Sequence, residues 1–160
     1  MTPAKKKELG GTGRKLGKTI VREQPPTYPA KGAAVISSKP AEAIERVAKG
    51  FAFSELEALR TEIDEPLESL ARHLSISRST LQRRRAERRL STQESDRVMR
   101  FWRLVRQAGD LFGDIEKARA WLKHPQYGLG GAVPLDYAET EIGAREVENL
   151  LGRMKYGVYS

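Results

Sequence analysis

Five arginines crowd the seven residues from Arg83 to Arg89, a few positions behind Ser77, a residue of the type that caps helices. Guanidinium groups packed this densely repel one another unless something anionic lies nearby. The chemistry they offer is therefore recognition of phosphate and base edges rather than bond making. If Leu81 faces the interior, a turn of about 100° per residue puts Ser79 and Arg83 on the opposite side, with Gln82 beside them. There arginine pairs with guanine, glutamine with adenine, and serine with a base or a phosphate. Arg78, Arg84, Arg85, Arg88 and Arg89 fall on the flanks, where phosphate is the natural contact. A solvated face on an ordinary helical hairpin is the competing reading.

Catalytic groups are scarce. The chain has no cysteine, which removes thiolate nucleophiles, disulfides and thiolate metal sites and fits a reducing, cytoplasmic setting. His73 and His124 are the only histidines and lie far apart, so a zinc site needs carboxylates in unusual roles, and neither a metal nor a cofactor is expected. Glu139 and Glu141, two residues apart, point in different directions on a helix and read as surface charge rather than an acid–base pair. The Gly10-Gly11-Thr12-Gly13 run before Lys15 lacks the spacing and the preceding strand of a phosphate loop. These residues describe a binding protein, not an enzyme.

The elements that must position the arginines are legible from Glu65 onward. Leu67, Leu70, Ala71 and Leu74 repeat at helical spacing behind Pro66, Ser75-Ile76 makes a turn with Ile76 as a plug, and Ser77 starts a second helix. This is the layout of a helix-turn-helix. Ser75 stands where many such motifs carry glycine, which predicts a looser turn. Upstream, a helical pattern begins at Pro40 with Ile44, Val47 and Ala48 and continues through Phe51, Phe53, Leu56 and Leu59.

Ser91 to Glu94 is a capping box that opens a long helix to about Phe112. Val98, Phe101, Trp102, Val105, Ala108 and Phe112 share one face for core or dimer packing, and Arg97, Arg100, Arg103 and Arg106 form a solvated face opposite. Asp114 caps a short helix that ends at His124-Pro125, a glycine-rich loop follows, and Pro134 starts another short helix. Gly143 is expected to break it, leaving a last helix from Ala144 to about Met154. The fold class is all-α.

The 160 residues carry a net charge of +8, distributed as +7 over residues 1–40, +1 over 41–90 and zero over 91–160. Residues 1–40, rich in lysine, glycine and proline, read as a disordered basic N-terminal arm able to touch phosphates. Residues 41–90 form the helix-turn-helix domain and 91–160 a second helical domain. No membrane span or secretory signal is expected, and the cytoplasm is the expected location.

The stretch from His124 to Ser160 resembles the toxin-binding domain of the Xre/MbcA/ParS antitoxins. The likeness rests on Leu129-Gly130-Gly131, Pro134-Leu135, Thr140, Gly143, Val147, Leu150-Leu151-Gly152-Arg153 and Tyr156-Gly157. With the Xre-like segment from Phe51 to Leu90 it covers about two-thirds of the chain. The resemblance implies an antitoxin that occludes the active site of a RES-domain, NAD-degrading toxin and binds operator DNA to regulate its own synthesis. It implies toxin contacts at Leu129, Gly130, Gly131, Pro134, Arg153, Tyr156, Gly157, Val158, Tyr159 and Ser160, and it points to a homodimer that joins a hetero-oligomer with toxin. The tail chemistry adds that two tyrosines and a terminal carboxylate could mimic an anionic, aromatic ligand. The alternative is a stand-alone dimeric helix-turn-helix repressor whose C-terminal helices serve dimerisation alone.

Overall fold

The longest helix starts at a reciprocal pair of hydrogen bonds. Ser91 Oγ accepts from the Glu94 N–H at 3.2 Å, and the Glu94 carboxylate accepts from the Ser91 N–H at 2.7 Å. This is the capping box expected from sequence, and it sets the phase of every residue that follows.

The computed structural model describes residues 39–158, so the basic arm up to residue 38, Tyr159 and Ser160 lie outside the described residues. In chain order the elements are α1 (Pro40–Lys49), α2 (Phe53–Ile63), α3 (Leu67–His73), α4 (Arg78–Glu87), α5 (Thr92–Phe112) and α6 (Ile115–Lys123). A 3-10 turn (Tyr127–Leu129), α7 (Pro134–Tyr137) and α8 (Glu141–Tyr156) complete the chain. Among the described residues the only β pairing is two isolated bridges, Ala52 with Arg89 and Gln126 with Ala132, in keeping with the all-α expectation.

α5 is the spine, packed by α1 and α2 on one side and by α6 and α8 on the other. Val98, Phe101, Trp102, Val105 and Ala108 are buried as their spacing predicts, and Leu104 joins them. Phe112 is half-buried, its ring 6.1 Å from that of Trp121. One apolar cluster runs from Phe51 through α5 to Leu151, so both halves of the chain share a single core. Each fully buried side chain of this size contributes about 1.5 to 3 kcal/mol, which makes apolar burial the main source of stability.

Three sequence expectations need correction. The arginine face of α5 is solvated only in part: Arg103 and Arg106 are exposed, but Arg100 is buried, 2.9 Å from Glu141 Oε2, and donates to the Glu139 carbonyl. Arg103 reaches Glu148, and Arg97 donates to the carbonyls of Leu74 and Ser75. Arg97 and Arg100 became structural because the helix-turn-helix and the segment before α8 close over that part of the face. The turn at Ser75 is tight rather than loose. Ser75 takes the left-handed conformation (φ 53°), the Ile76 N–H bonds back to Ala71, and Ile76 is buried as the plug. Finally, Gly143 does not break a helix. It lies in the first turn of α8, where a Cβ would sit 1.7 Å from the Tyr137 carbonyl oxygen, so close approach of α7 is the reason for glycine.

Long-range polar ties hold the ends. The Phe51 N–H donates to Ser95 Oγ at 2.7 Å, and Ser95 Oγ donates in turn to Ser91 O. Arg119 on α6 donates to the carbonyls of Glu62 and Thr61, and Lys123 to that of Asp64, so α6 supplies the cations that cap the C-terminus of α2.

Burial alone would raise the Glu94 carboxyl, but hydrogen bonds from Ser91 and from Arg84 outweigh it and hold its pKa below the ordinary carboxylate value. A depressed folded-state pKa adds stability above the unfolded pKa of about 4.3 and loses it as pH falls through the folded value. Glu94→Gln keeps an acceptor but loses the charge. It should cost about 2 kcal/mol near neutral pH, a cost that begins to shrink in thermal melts below about pH 4 and is lost as pH falls through the depressed folded value. A penalty of the same size at pH 3 and pH 7 would detach Glu94 from the ion pair.

Candidate functional site

Two surfaces carry the residues singled out from sequence. On the first, α4 turns Leu81 into the core and begins at Ser77, whose Oγ accepts from the Thr80 N–H at 3.2 Å. Arg78, Ser79, Gln82, Arg83 and Arg85 are all exposed on α4, so the face opposite Leu81 is open as the helical phase requires. Ser79 Oγ lies 3.1 Å from Ser77 Oγ, which engages the hydroxyl in the cap. Arg85 stands over the Phe53 ring, 5.7 Å from its centroid, and Arg88 ends α4 in the left-handed conformation with its side chain exposed.

Arg84 behaves differently from its neighbours. Its side chain is half-buried, with Nε 2.8 Å from Glu94 Oε2 and Nη1 2.7 Å from Glu87 Oε2. It was expected on a flank facing phosphate; its guanidinium instead ties α4 to the first turn of α5. Arg89 likewise donates to the carbonyls of Lys49 and Gly50. The Glu87 partner is visible in sequence at i+3, but Glu94 lies beyond the helix end, where periodicity gives no guidance.

The second surface is the lobe formed by α6, the 3-10 turn, α7 and α8. Gln126 organises its loop: the Gln126 N–H donates to Ala132 O, the Gly131 N–H donates to Gln126 O, and the side-chain amide reaches the carbonyls of Trp121 and His124. Gly130 and Gly131 are thereby held exposed. Leu129 and Pro134, two of the expected contact residues, are buried in this chain and shape the loop from inside. Arg153 is half-buried, and Gly157 and Val158 cap α8 through N–H groups that bond back to its last turn. Tyr156 is 76% exposed and Val158 is exposed, while Tyr159 and Ser160 lie outside the described residues.

Sequence reasoning missed three exposed apolar side chains of this lobe. Tyr127 is fully exposed, Ile142 is 79% exposed, and Tyr137 is partly so. Ile142 could have been found, because it falls off the Val147 and Leu151 stripe. Among the described residues, all but one of the exposed large apolar side chains lie in this lobe, the exception being Ile44 on α1. Among the described residues no helix is long and apolar enough to cross a membrane.

Comparison with known proteins follows the same division. Residues 42–103 match the antitoxin Xre-like helix-turn-helix domain, and residues 107–157 match the antitoxin Xre/MbcA/ParS C-terminal toxin-binding domain. An Antitoxin Xre of Yersinia enterocolitica is 37% identical over 119 residues, covering 73% of this chain and 80% of that protein. An Antitoxin Xre of Photorhabdus laumondii is 44% identical over 73 residues, 45% of this chain and 49% of that one. The Prs ADP-ribosylating antitoxin of a Sphingobium species is 26% identical over 137 residues, covering 79% of this chain and 86% of its own.

Two glycines of α8 separate packing from surface. Gly143→Ala drives a methyl into the Tyr137 carbonyl and should destabilise by about 3 kcal/mol. Gly152 has nothing among the described residues within 4 Å of a would-be Cβ, so Gly152→Ala should raise stability by about 0.5 to 1 kcal/mol. Thermal denaturation of both variants checks the pair, and equal destabilisation would contradict the packing described.

Proposed function

The chain belongs to the Xre antitoxin family, and from that premise we propose that it neutralises a partner toxin with its C-terminal lobe and binds operator DNA through α4 to regulate its own synthesis. It acts by binding, without catalysis, in the cytoplasm. The observation that carries the toxin assignment is the concentration of exposed apolar side chains on a lobe matched by a toxin-binding domain: Tyr127, Tyr137, Ile142, Tyr156 and Val158. Soluble domains seldom leave such groups clustered without a partner. Gly152 supports the same surface. A mid-helix glycine costs about 1 kcal/mol against alanine, and among the described residues nothing comes close enough to require it, so a partner backbone approaching closely supplies the reason.

The toxin we assign is a RES-domain enzyme that degrades NAD. The Sphingobium relative is named for ADP-ribosylation instead, and the two chemistries share a first event, loss of nicotinamide from NAD. They differ in the acceptor, water in one and a protein side chain in the other. The homodimer belongs to this proposal as well, and an apolar groove of about 490 Å³ lined by Ala43, Ile44, Val47 and Met99 is the surface available for it.

Co-expression with the product of the adjacent gene tests the toxin reading. Growth rescue and co-purification should depend on residues 107–157, and Gly152→Ala should weaken both while leaving the melting temperature intact or higher. Free ADP-ribose in unrescued cells identifies NAD hydrolysis, whereas ADP-ribosylated protein identifies transfer. Rescue by a chain lacking the lobe would overturn the proposal.

For DNA, Arg83→Ala should weaken operator binding by about 1 to 3 kcal/mol and relax sequence preference. Arg88→Ala should weaken operator and random duplex alike and lower the salt slope by about one. Arg84→Ala should appear first in the melting temperature, because its guanidinium faces Glu94. Fluorescence anisotropy across a salt series reads all three, and equal losses on specific and random DNA for Arg83→Ala and Arg88→Ala would move the reading face elsewhere.

A further inference from the structure

We propose that His73, Asp136 and Glu139 form a binding site for a divalent transition-metal cation of the zinc class, which locks the helix-turn-helix to the C-terminal lobe. The three residues come from two modules: His73 is in the last turn of α3, while Asp136 lies on α7 and Glu139 in the turn after it, three positions apart and therefore on one face. His73 Nδ1 lies 3.2 Å from Asp136 Oδ1 and 3.6 Å from Glu139 Oε1, and one ligand atom from each residue falls within 4.8 Å of the other two. Tetrahedral ligands held about 2.0 to 2.1 Å from a metal stand about 3.3 Å from one another, close to the 3.2 and 3.6 Å between His73 Nδ1 and the two carboxylates.

An independent observation points the same way. The His73 side chain is only 8% exposed, and Nδ1 makes no hydrogen bond among the described residues, although two carboxylates lie within 4 Å. A cation between the three groups takes up the imidazole lone pair and neutralises the two carboxylates that face it. The surroundings hold the imidazole still: the Phe101 ring packs 6.5 Å away and Arg97 fixes the carbonyls at the end of α3. On the opposite side, Arg100 holds the Glu139 backbone carbonyl.

One imidazole with two carboxylates selects zinc, cobalt, nickel or manganese over calcium and magnesium, which prefer oxygen ligands throughout. Three protein ligands leave the fourth position to water, in keeping with the exposure of both carboxylates. The site joins the two modules directly, so bound metal should stiffen their relative placement. The inference stands apart from the toxin and operator assignments, since it concerns the junction alone.

The test uses the full chain without an affinity tag, stripped with chelator, then titrated with zinc chloride and, for its visible absorption, cobalt chloride. A melting-temperature rise on the order of 10 °C is expected at zinc a hundredfold above Kd. The pair Asp136→Asn and Glu139→Gln, both at the surface and chosen so that the fold survives, should abolish the rise and the cobalt absorption. His124→Asn, which changes the other histidine, should leave both intact. No rise in the parent protein, a rise that survives Asp136→Asn with Glu139→Gln, or one lost in His124→Asn would each overturn the proposal and leave His73 as an ordinary histidine–carboxylate contact.

Discussion

The arrangement depends on the polar knot at the first turn of α5. Glu94 accepts from its own cap and from Arg84, and Ser95 accepts from Phe51 while donating back to Ser91. Four segments meet there: the α1–α2 junction, α4, the cap and α5 itself. Apolar burial supplies most of the energy, but it is indifferent to small rotations of a helix whose core face is broad. Hydrogen bonds to a buried carboxylate are not, because leaving one of them unmade costs about as much as a buried leucine contributes. The knot therefore fixes which face of α5 meets the helix-turn-helix and, through the helix, which face meets α8.

That division explains what the sequence could say. Local signals carried over well, since the Ser77 and Asp114 caps and the Ser91–Glu94 box involve residues two or three apart and each appears as expected. The apolar stripe of α5 was also legible, because helical periodicity is a property of neighbours. The arginines were not. Arg83 and Arg84 are adjacent and chemically identical, yet one is exposed and the other is held by a carboxylate ten residues on, across a helix end. The arginine row of α5 fails at Arg100 for the same reason: a charged stripe reads as solvated unless the acidic partner, here Glu141, is known to fold back onto it. Gly143 was mistaken for a breaker because sequence reveals glycine's low helix propensity but not the carbonyl oxygen that would occupy the place of its Cβ.

The site was legible in kind and less so in membership. The helix-turn-helix and the glycine-rich lobe could be located because both depend on turn residues at fixed offsets. Buried Leu129 and Pro134 entered the contact set because the resemblance ranks motif positions without saying whether they touch a partner or hold up the residues that do. Exposed Tyr127 and Ile142 stayed outside it because a single apolar residue off the stripe carries little weight in a sequence of this composition.

The shared core also constrains how two binding surfaces can influence each other. Coupling through conformational change requires an element with two discrete arrangements that both ligands bias. Here α5 runs unbroken for 21 residues, about 30 Å, through one contiguous core, and α6 caps α2 across the boundary between the two matched domains. Such a body has no evident second packing, so the described residues favour coupling by placement: a partner on the lobe brings its own charge and bulk to a fixed position relative to α4. On the proposed function, a bound toxin would alter operator affinity through added contacts, clashes or avidity, with an effect set by geometry and ionic strength rather than by a shift within the chain. The junction around His73 is the place where this rigidity can be tuned, because there side chains of α3 meet those of α7 and the turn after it, away from the continuous spine.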